Sequence, residues 1–350
     1  MKFITIDKND WAKGIEKSRE TYQLFGPVKD KNGCIFKLLD KGVMPDLDYS
    51  DSIMSVKSVI FPQTEKILTV SLDDTVEDHH IMKRAENTYS PRAVIGLRPC
   101  DAKAVQLVKL NFDTEDYKDP YWCDAYEATT FIGLAATKPG ACDFSLDAAS
   151  GPFNEEGLDI LMADMGDKYL AKVLTDKGNA FVAACGFSQA ADKTESQALF
   201  DILRTDTEKR IESQIQTDQL KDKTILELHE APFWEDVAFS CLNCGTCTFV
   251  CPTCWCFDIQ DETKRNSSSR FRNWDTCMSS LFTRHASGHN PRDTKTQRVK
   301  QRFMHKLKYF PDKYNQGIMC VGCGRCVKSC PVNIDIREVC NMMNSYEKQD

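Results

Sequence analysis

One figure occurs twice in this 350-residue chain: Cys241, Cys244, Cys247 and Cys251 followed by Pro252, then Cys320, Cys323, Cys326 and Cys330 followed by Pro331. The spacing C-x2-C-x2-C-x3-C-P puts three thiols on one tight loop and carries the fourth away behind a proline. Three thiolates so placed suit three corners of a cuboidal [4Fe-4S] cluster, and in two-cluster ferredoxins the fourth cysteine ligates the other cluster. The spacing therefore predicts one cluster on Cys241, Cys244, Cys247 and Cys330 and a second on Cys320, Cys323, Cys326 and Cys251. The two sites would tie each other together. Structural zinc needs only four ligands, usually as two separated pairs, and has no use for the third cysteine or the C-P step. Disulfide frameworks belong to short secreted chains, and no C-x-x-C-H occurs for haem attachment.

The length leaves room for two domains, and 41% hydrophobic residues can bury an ordinary core. The opening MKFITIDKNDWAKG has neither an apolar h-region nor a cleavage site, and no run of eighteen apolar residues follows. The expectation is a soluble, cytoplasmic protein. Seventeen cysteines and oxygen-sensitive clusters point to a reducing compartment in an anaerobic host. The formal charge of −7 becomes more negative on loading, because each four-thiolate cube carries about −2 when oxidised.

The predicted fold class is α+β: residues 1–232 form a mixed α/β domain, and residues 233–350 form an α-helical ferredoxin-like domain. In the first part, apolar runs predict strands over 58–61, 66–72, 93–97, 130–135, 160–163 and 169–174. Helical spacing covers 11–24, 102–110 and part of 193–216. The strand at 93–97 runs into Arg98, Pro99, Cys100 and Asp101, with Asp101 expected at the N-cap of the following helix. A cysteine at that place feels the positive end of the helix dipole, so Cys100 reads either as a ligand or redox thiol or as a small buried residue on a crowded turn. Cys34, Cys123, Cys142 and Cys185 are isolated and read as core. Neither G-x-G-x-x-G opening a helix nor G-x-x-x-x-G-K-[ST] is present. A nicotinamide donor would therefore sit on another chain.

Sixty-eight residues, 252–319, separate the two runs, too many for the compact pseudo-symmetric ferredoxin. Helical patterns at 278–285, 296–307 and 334–343 predict the α-helical dicluster alternative. The connection also holds Cys254 and Cys256 around Trp255, and Cys277 after Trp274 and Asp275. These thiols could hold a third cluster with Cys340, Cys100 or Asp101 as fourth ligand, or they could be buried cysteines sealing the domain. From Lys264 to Lys308 there are twelve Lys or Arg against Asp275 and Asp293. The anionic clusters and an acidic partner surface are nearer targets for that charge than nucleic acid. His285, His289 and His305 lie in the same stretch and read as hydrogen-bonding groups that shape the cluster surroundings.

The stretches CLNCGTCTFVCPTCWCFD, NWDTC, HASGHNPRDTKTQRVKQRFMHKLKYF and CVGCGRCVKSCPVNIDI resemble the iron-sulfur β subunits of cytosolic sulfhydrogenases and the A subunit of anaerobic sulfite reductase. FPQTEKIL, IGLRPCDAKAV, DPYW and GPFNEEGLDILMADMGDKYL extend the resemblance into the first part. It implies a ferredoxin-like electron-transfer subunit standing between a flavin- and NAD(P)H-binding subunit and a catalytic oxidoreductase subunit, with no membrane span. The eight cluster cysteines match that family, as do Cys100, Asp101, Cys254, Cys256 and Cys277. One departure is visible: where the family often carries Cys-Phe-Cys after Pro-Gly, this chain has Asp143, Phe144 and Ser145 behind Cys142. Two other classes stay open from the residues alone. One is a self-contained enzyme with a site around Cys100, Cys254, Cys256 and Cys277, and the other a nucleic-acid binder with structural clusters.

Overall fold

The computed structural model describes residues 2–87 and 89–348. Its strands are β1 (Lys2–Asp7), β2 (Gln23–Asp30), β3 (Gly33–Leu38), β4 (Thr64–Ser71), β5 (Lys83–Arg84) and β6 (Arg92–Leu97). They continue with β7 (Thr129–Leu134), β8 (Ile160–Asp164), β9 (Lys168–Val173), β10 (Phe257–Lys264) and β11 (Ser267–Trp274). Apolar runs set the centre of the larger sheet: every residue of RAVIGL in β6 and TTFIGL in β7 is buried, as strands covered on both faces require. Around them the order is β1-β9-β8-β7-β6-β2-β3. The strands β2, β6, β7 and β8 run parallel, flanked by antiparallel β3, β9 and β1.

Alternate residues of each strand feed the two faces. Ala93, Ile95 and Ile132 pack with Trp11 and Ile15 of the helix Lys8–Ser18 and Phe181 of the helix Asp176–Cys185. Val94 and Phe131 pack with Val105, Val108 and Phe112 of the helix Pro99–Phe112 and Trp122 of the helix Pro120–Glu127. Phe112 and Trp122 stack at 5.8 Å between centroids.

The smaller sheet, β10-β11-β4-β5, joins a hairpin from between the cysteine runs to strands from the first quarter of the chain. Its anchor is Arg272 in β11, which donates to Glu65 of β4 at 2.5 Å and to Asp119, the N-cap of the helix Pro120–Glu127, at 2.5 Å. Both Arg272 and Glu65 are buried, so the charges are paired where neither could be left alone. The C-terminal helices Lys295–Met304 and Ile336–Ser345 pack through Val299, Phe303, Val339 and Met343 against Trp234 of the helix Phe233–Phe239. The chain is thus α+β, as its patterns predict, and its helical dicluster segment carries an inserted hairpin.

Several local expectations change. Residues 58–61 belong to a helical turn, Lys57–Ile60, and not to a strand; an apolar run of four does not distinguish the two by period. The first helix ends at Ser18, and Leu24 lies in β2. Residues 278–285 form turns and no helix. Pro99 opens its helix at the first position, so Arg98 is the N-cap and Asp101 lies within the first turn.

Candidate metal centre

Both cysteine loops fold by the same local rule. Asn243 and Gly245 flank Cys244 with φ of 54° and 75°, and Gly322 and Gly324 flank Cys323 with φ of 65° and 69°. Left-handed backbone on either side of the middle cysteine wraps the loop and turns successive N–H groups inward, a cradle suited to an anion. A single helical turn follows each loop, Thr246–Phe249 and Arg325–Lys328. Cys251 and Cys330 then precede their prolines.

Cys241, Cys244, Cys247 and Cys330 line one partly enclosed cavity together with Cys326 of the second run, and Met278, Val299 and Phe303 floor it. Cys330 thus shares a cavity with three cysteines that lie eighty-three residues or more away in the chain. Arg302 lines the same cavity, and its Nε is buried without a partner. An orphaned donor beside four thiols fits a cluster, whose sulfides would supply the missing acceptor. Backbone N–H groups already reach two of these sulfurs: Asn243 donates to Cys241 Sγ at 3.4 Å and Ile334 to Cys330 Sγ at 3.2 Å.

Cys320, Cys323, Cys326 and Cys251 gather more deeply. Burial pushes the Cys320 thiol up, with the charges of Cys326 and Cys251 adding to it. Burial likewise takes Cys323 up to about 12. Protonated thiols of this kind give up their protons to a metal, so loading and proton release are coupled. The counter-charge is built in. Lys306 is buried and donates to Thr253 Oγ1 at 2.6 Å and Met319 O at 3.4 Å. Burial works against its ammonium, but Cys251, Cys254 and Cys320 outweigh that and hold its pKa up. Lys306 stands in a π-helical segment, His305–Tyr309, inserted after the helix Lys295–Met304. Such an insertion rotates the side chains that follow relative to a continuous α-helix, and π-turns recur at functional sites.

A seal from the first part of the chain closes over the second loop. Phe144 N donates to Gly322 O at 3.0 Å, and Ser150 Oγ donates to Val321 O at 2.6 Å. A Cβ on Gly324 would stand 2.3 Å from Cys142 O, and one on Gly322 would stand 2.5 Å from the carbonyl of Phe144. Glycine is required at both places by contact as well as by φ. Arg325 completes the seal with a two-pronged ion pair to Asp101, both arms at 2.6 Å, and donates to Ser52 O at 2.9 Å.

The remaining sequence candidates divide. Cys254 and Cys256 lie beside Cys251 and Lys306, and Cys256 pairs with Cys277, whose thiol hydrogen bond lowers Cys256 to about 7 against the effect of burial. Asp101 is engaged by Arg325. Cys100 lines a crevice with Cys142, Asp143 and Cys323 at the carboxyl ends of β6 and β7, apart from that trio. Its position near a helix N-terminus does not yield a thiolate, since burial and the neighbouring Asp101 push its pKa well up. Cys340 is buried in the C-terminal core. His305 lies 5.0 Å from Trp255, ring to ring, and burial takes it down to about 4. Among the described residues no three His, Cys, Asp or Glu side chains converge on a single-ion point. A cube holds its thiolates at its outer corners, further apart than a lone zinc ion does. Lys306 and Arg302 escaped assignment in the sequence, where only their membership of a basic stretch was visible.

Comparison with known proteins agrees with this geometry. A family described as 4Fe-4S dicluster domain matches residues 240–334. Sulfhydrogenase 2 subunit beta of Pyrococcus furiosus is 24% identical over 348 residues, covering 96% of each chain. No solved structure matches. No helix among the described residues is long and apolar enough to cross a membrane. With a dicluster segment inside a match that spans both chains, this protein is similar to a sulfhydrogenase β subunit, and the two matches support an iron-sulfur electron-transfer role.

Proposed function

We propose that the chain is a relay subunit without a substrate pocket of its own, placed between a flavin- and NAD(P)H-binding subunit and a catalytic subunit of an anaerobic oxidoreductase complex. The observation that carries it is the pooling of Cys241, Cys244 and Cys247 with Cys330 around one cavity beside the unpartnered Arg302 Nε. On this reading Cys241, Cys244, Cys247 and Cys330 hold one [4Fe-4S] cluster, and Cys320, Cys323, Cys326 and Cys251 hold a second. When bound, such clusters supply one-electron steps. The chain's own groups do the rest: Arg302, Lys306 and Arg325 offset the anionic charge, and the segment 142–150 excludes water from the second loop. The cytoplasm of an anaerobe is the setting proposed, and a division of the chain near residue 232 goes with it. The names of partners come from the relative's status as a subunit and from the absence of a nucleotide cradle in the sequence.

The test is anaerobic preparation followed by analysis and redox titration. About eight iron and eight sulfide per chain are expected, with two one-electron transitions. Zinc in place of iron, or fewer than about four iron, overturns it. A second reading adds a third cluster, or an open metal site, on Cys254, Cys256 and Cys277. It rests on their gathering beside Cys251 and Lys306. About twelve iron per chain would favour it.

A further inference from the structure

The geometry points to a docking face for a redox partner, centred on Cys244 and made of Phe239, Leu242 and Leu281. This rests on the relay reading and gives it a place of contact.

Phe239, Leu281 and Leu242 are the most exposed large hydrophobic side chains among the described residues, at 83%, 69% and 66%. Single exposed apolar residues are ordinary, but grouped ones mark interaction sites. These three all border the first cysteine loop. Phe239 closes the helix that leads into Cys241, and Leu242 lines the cavity itself. Leu281 belongs to the turns after Met278, whose carbonyl accepts from Asn243 Nδ2 at 3.0 Å. Cys244 lines that cavity with Leu242 and is the exposed cysteine of the chain. The second loop shows no exposed cysteine: Cys323 lines the crevice with Cys100 and Cys142, and residues 142–150 and Arg325 pack against the loop. An electron leaving through protein has its shortest path at the exposed cysteine, and the same segment carries exposed apolar side chains for a partner to bury.

Charge says what kind of partner fits. From Met278 to Lys300 the chain carries Arg284, Arg292, Lys295 and Lys300 at least partly exposed, besides the buried Arg298, against Asp293 alone, within a molecule of net charge −7. Lys295 Nζ donates to Phe239 O at 2.7 Å, which holds a cation at the edge of the apolar centre. On the other flank stand Glu235, which accepts from Thr296 at 3.0 Å, and Asp236. An apolar centre with a mainly basic rim fits a protein that presents its cofactor edge through an apolar patch flanked by carboxylates. We therefore commit to a cofactor-bearing subunit with an acidic rim as the occupant.

The test uses the native complex, purified without oxygen from the host, and the holoprotein as control. A carbodiimide, which joins lysine to carboxylate without a spacer, should link Lys295 or Lys300 to acidic residues of a chain that carries a redox cofactor. The double variant Phe239→Glu with Leu281→Glu should keep its iron and its reduction by dithionite while binding that chain about tenfold more weakly or worse. Ile202→Glu, at a 58% exposed site on the helix Lys193–Glu208, should change neither. Cross-links to a second copy of this chain, or a double variant that retains its partner at wild-type strength, overturn the docking face. A wild-type holoprotein that dithionite cannot reduce would instead overturn the relay reading.

Discussion

Single residues carry charge and space that no spacing rule reveals. Asp101 and Arg325 are 224 positions apart in sequence and form a fully buried, bidentate pair. Removing one member of such a pair leaves the other's charge unpaired in the interior, which costs about 3–5 kcal/mol. Asp101→Asn should lower the thermal midpoint of the holoprotein markedly, whereas the exposed Asp48→Asn should leave it nearly unchanged; an equal shift for both would remove the sealing role of the pair. Lys306 acts on potential more than on stability. A buried ammonium among Cys251, Cys254 and Cys320 favours the reduced, more negative cluster, so Lys306→Met should lower the midpoint potential of one of the two transitions and leave the other in place. Equal movement of both transitions would show that Lys306 does not belong to one site. Gly324→Ala meets the Cys142 carbonyl and a left-handed backbone at once. It should lose about four iron while the other four remain, measured against total protein by iron assay.

At the level of elements, the two loops were the most legible part of the chain because their rule is local: cysteine spacing, flanking left-handed residues and a terminal proline are all visible within twelve positions. Strands β6 to β9 were legible for a similar reason, since an uninterrupted apolar run such as AVI in 93–95 has nowhere to go except a covered sheet. The hairpin β10–β11 was not. Its outer strand, FDIQDETK, is exposed along nearly its whole length and shows no alternation for a reader to find. It pairs because Arg272 finds Glu65 and Asp119, a contact that only the folded chain creates. The same limit applies to the helix start at 99, where Pro99 outranked Asp101 as the first-turn signal. Whether the loops truly exchange their fourth ligands can be decided by combining substitutions. Cys251→Ser alone should lose about four iron, and Cys251→Ser with Cys241→Ser should lose about eight, because the two cysteines serve different clusters. A double variant no worse than the single one would place Cys251 with its own loop.

For the whole molecule, the question is what the thiol sites contribute to folding. The seven-stranded sheet is packed on both faces by apolar side chains, among them Trp11, Ile15, Phe181, Phe112 and Trp122, and none of its strands contains a cluster cysteine. The C-terminal helices pack through Trp234, Val299, Phe303 and Met343, but the loops between them are joined by thiols and by buried cations. Without metal, Arg302 and Lys306 keep their burial and lose the anionic charge that compensates it, so the free energy of loading is also free energy of folding for that part. Removing iron anaerobically with a chelator should therefore leave amide protection in β6, β7 and β8 close to that of the holoprotein. Amides of residues 241–256 and 318–335 should exchange orders of magnitude faster, as local unfolding of a segment deprived of its ties. Loss of protection throughout the sheet would show that the two parts fold as one unit, with the Asp101–Arg325 pair and the segment 142–150 transmitting the loss. Protection retained at the loops would instead mean that apolar packing alone holds the cysteines in place.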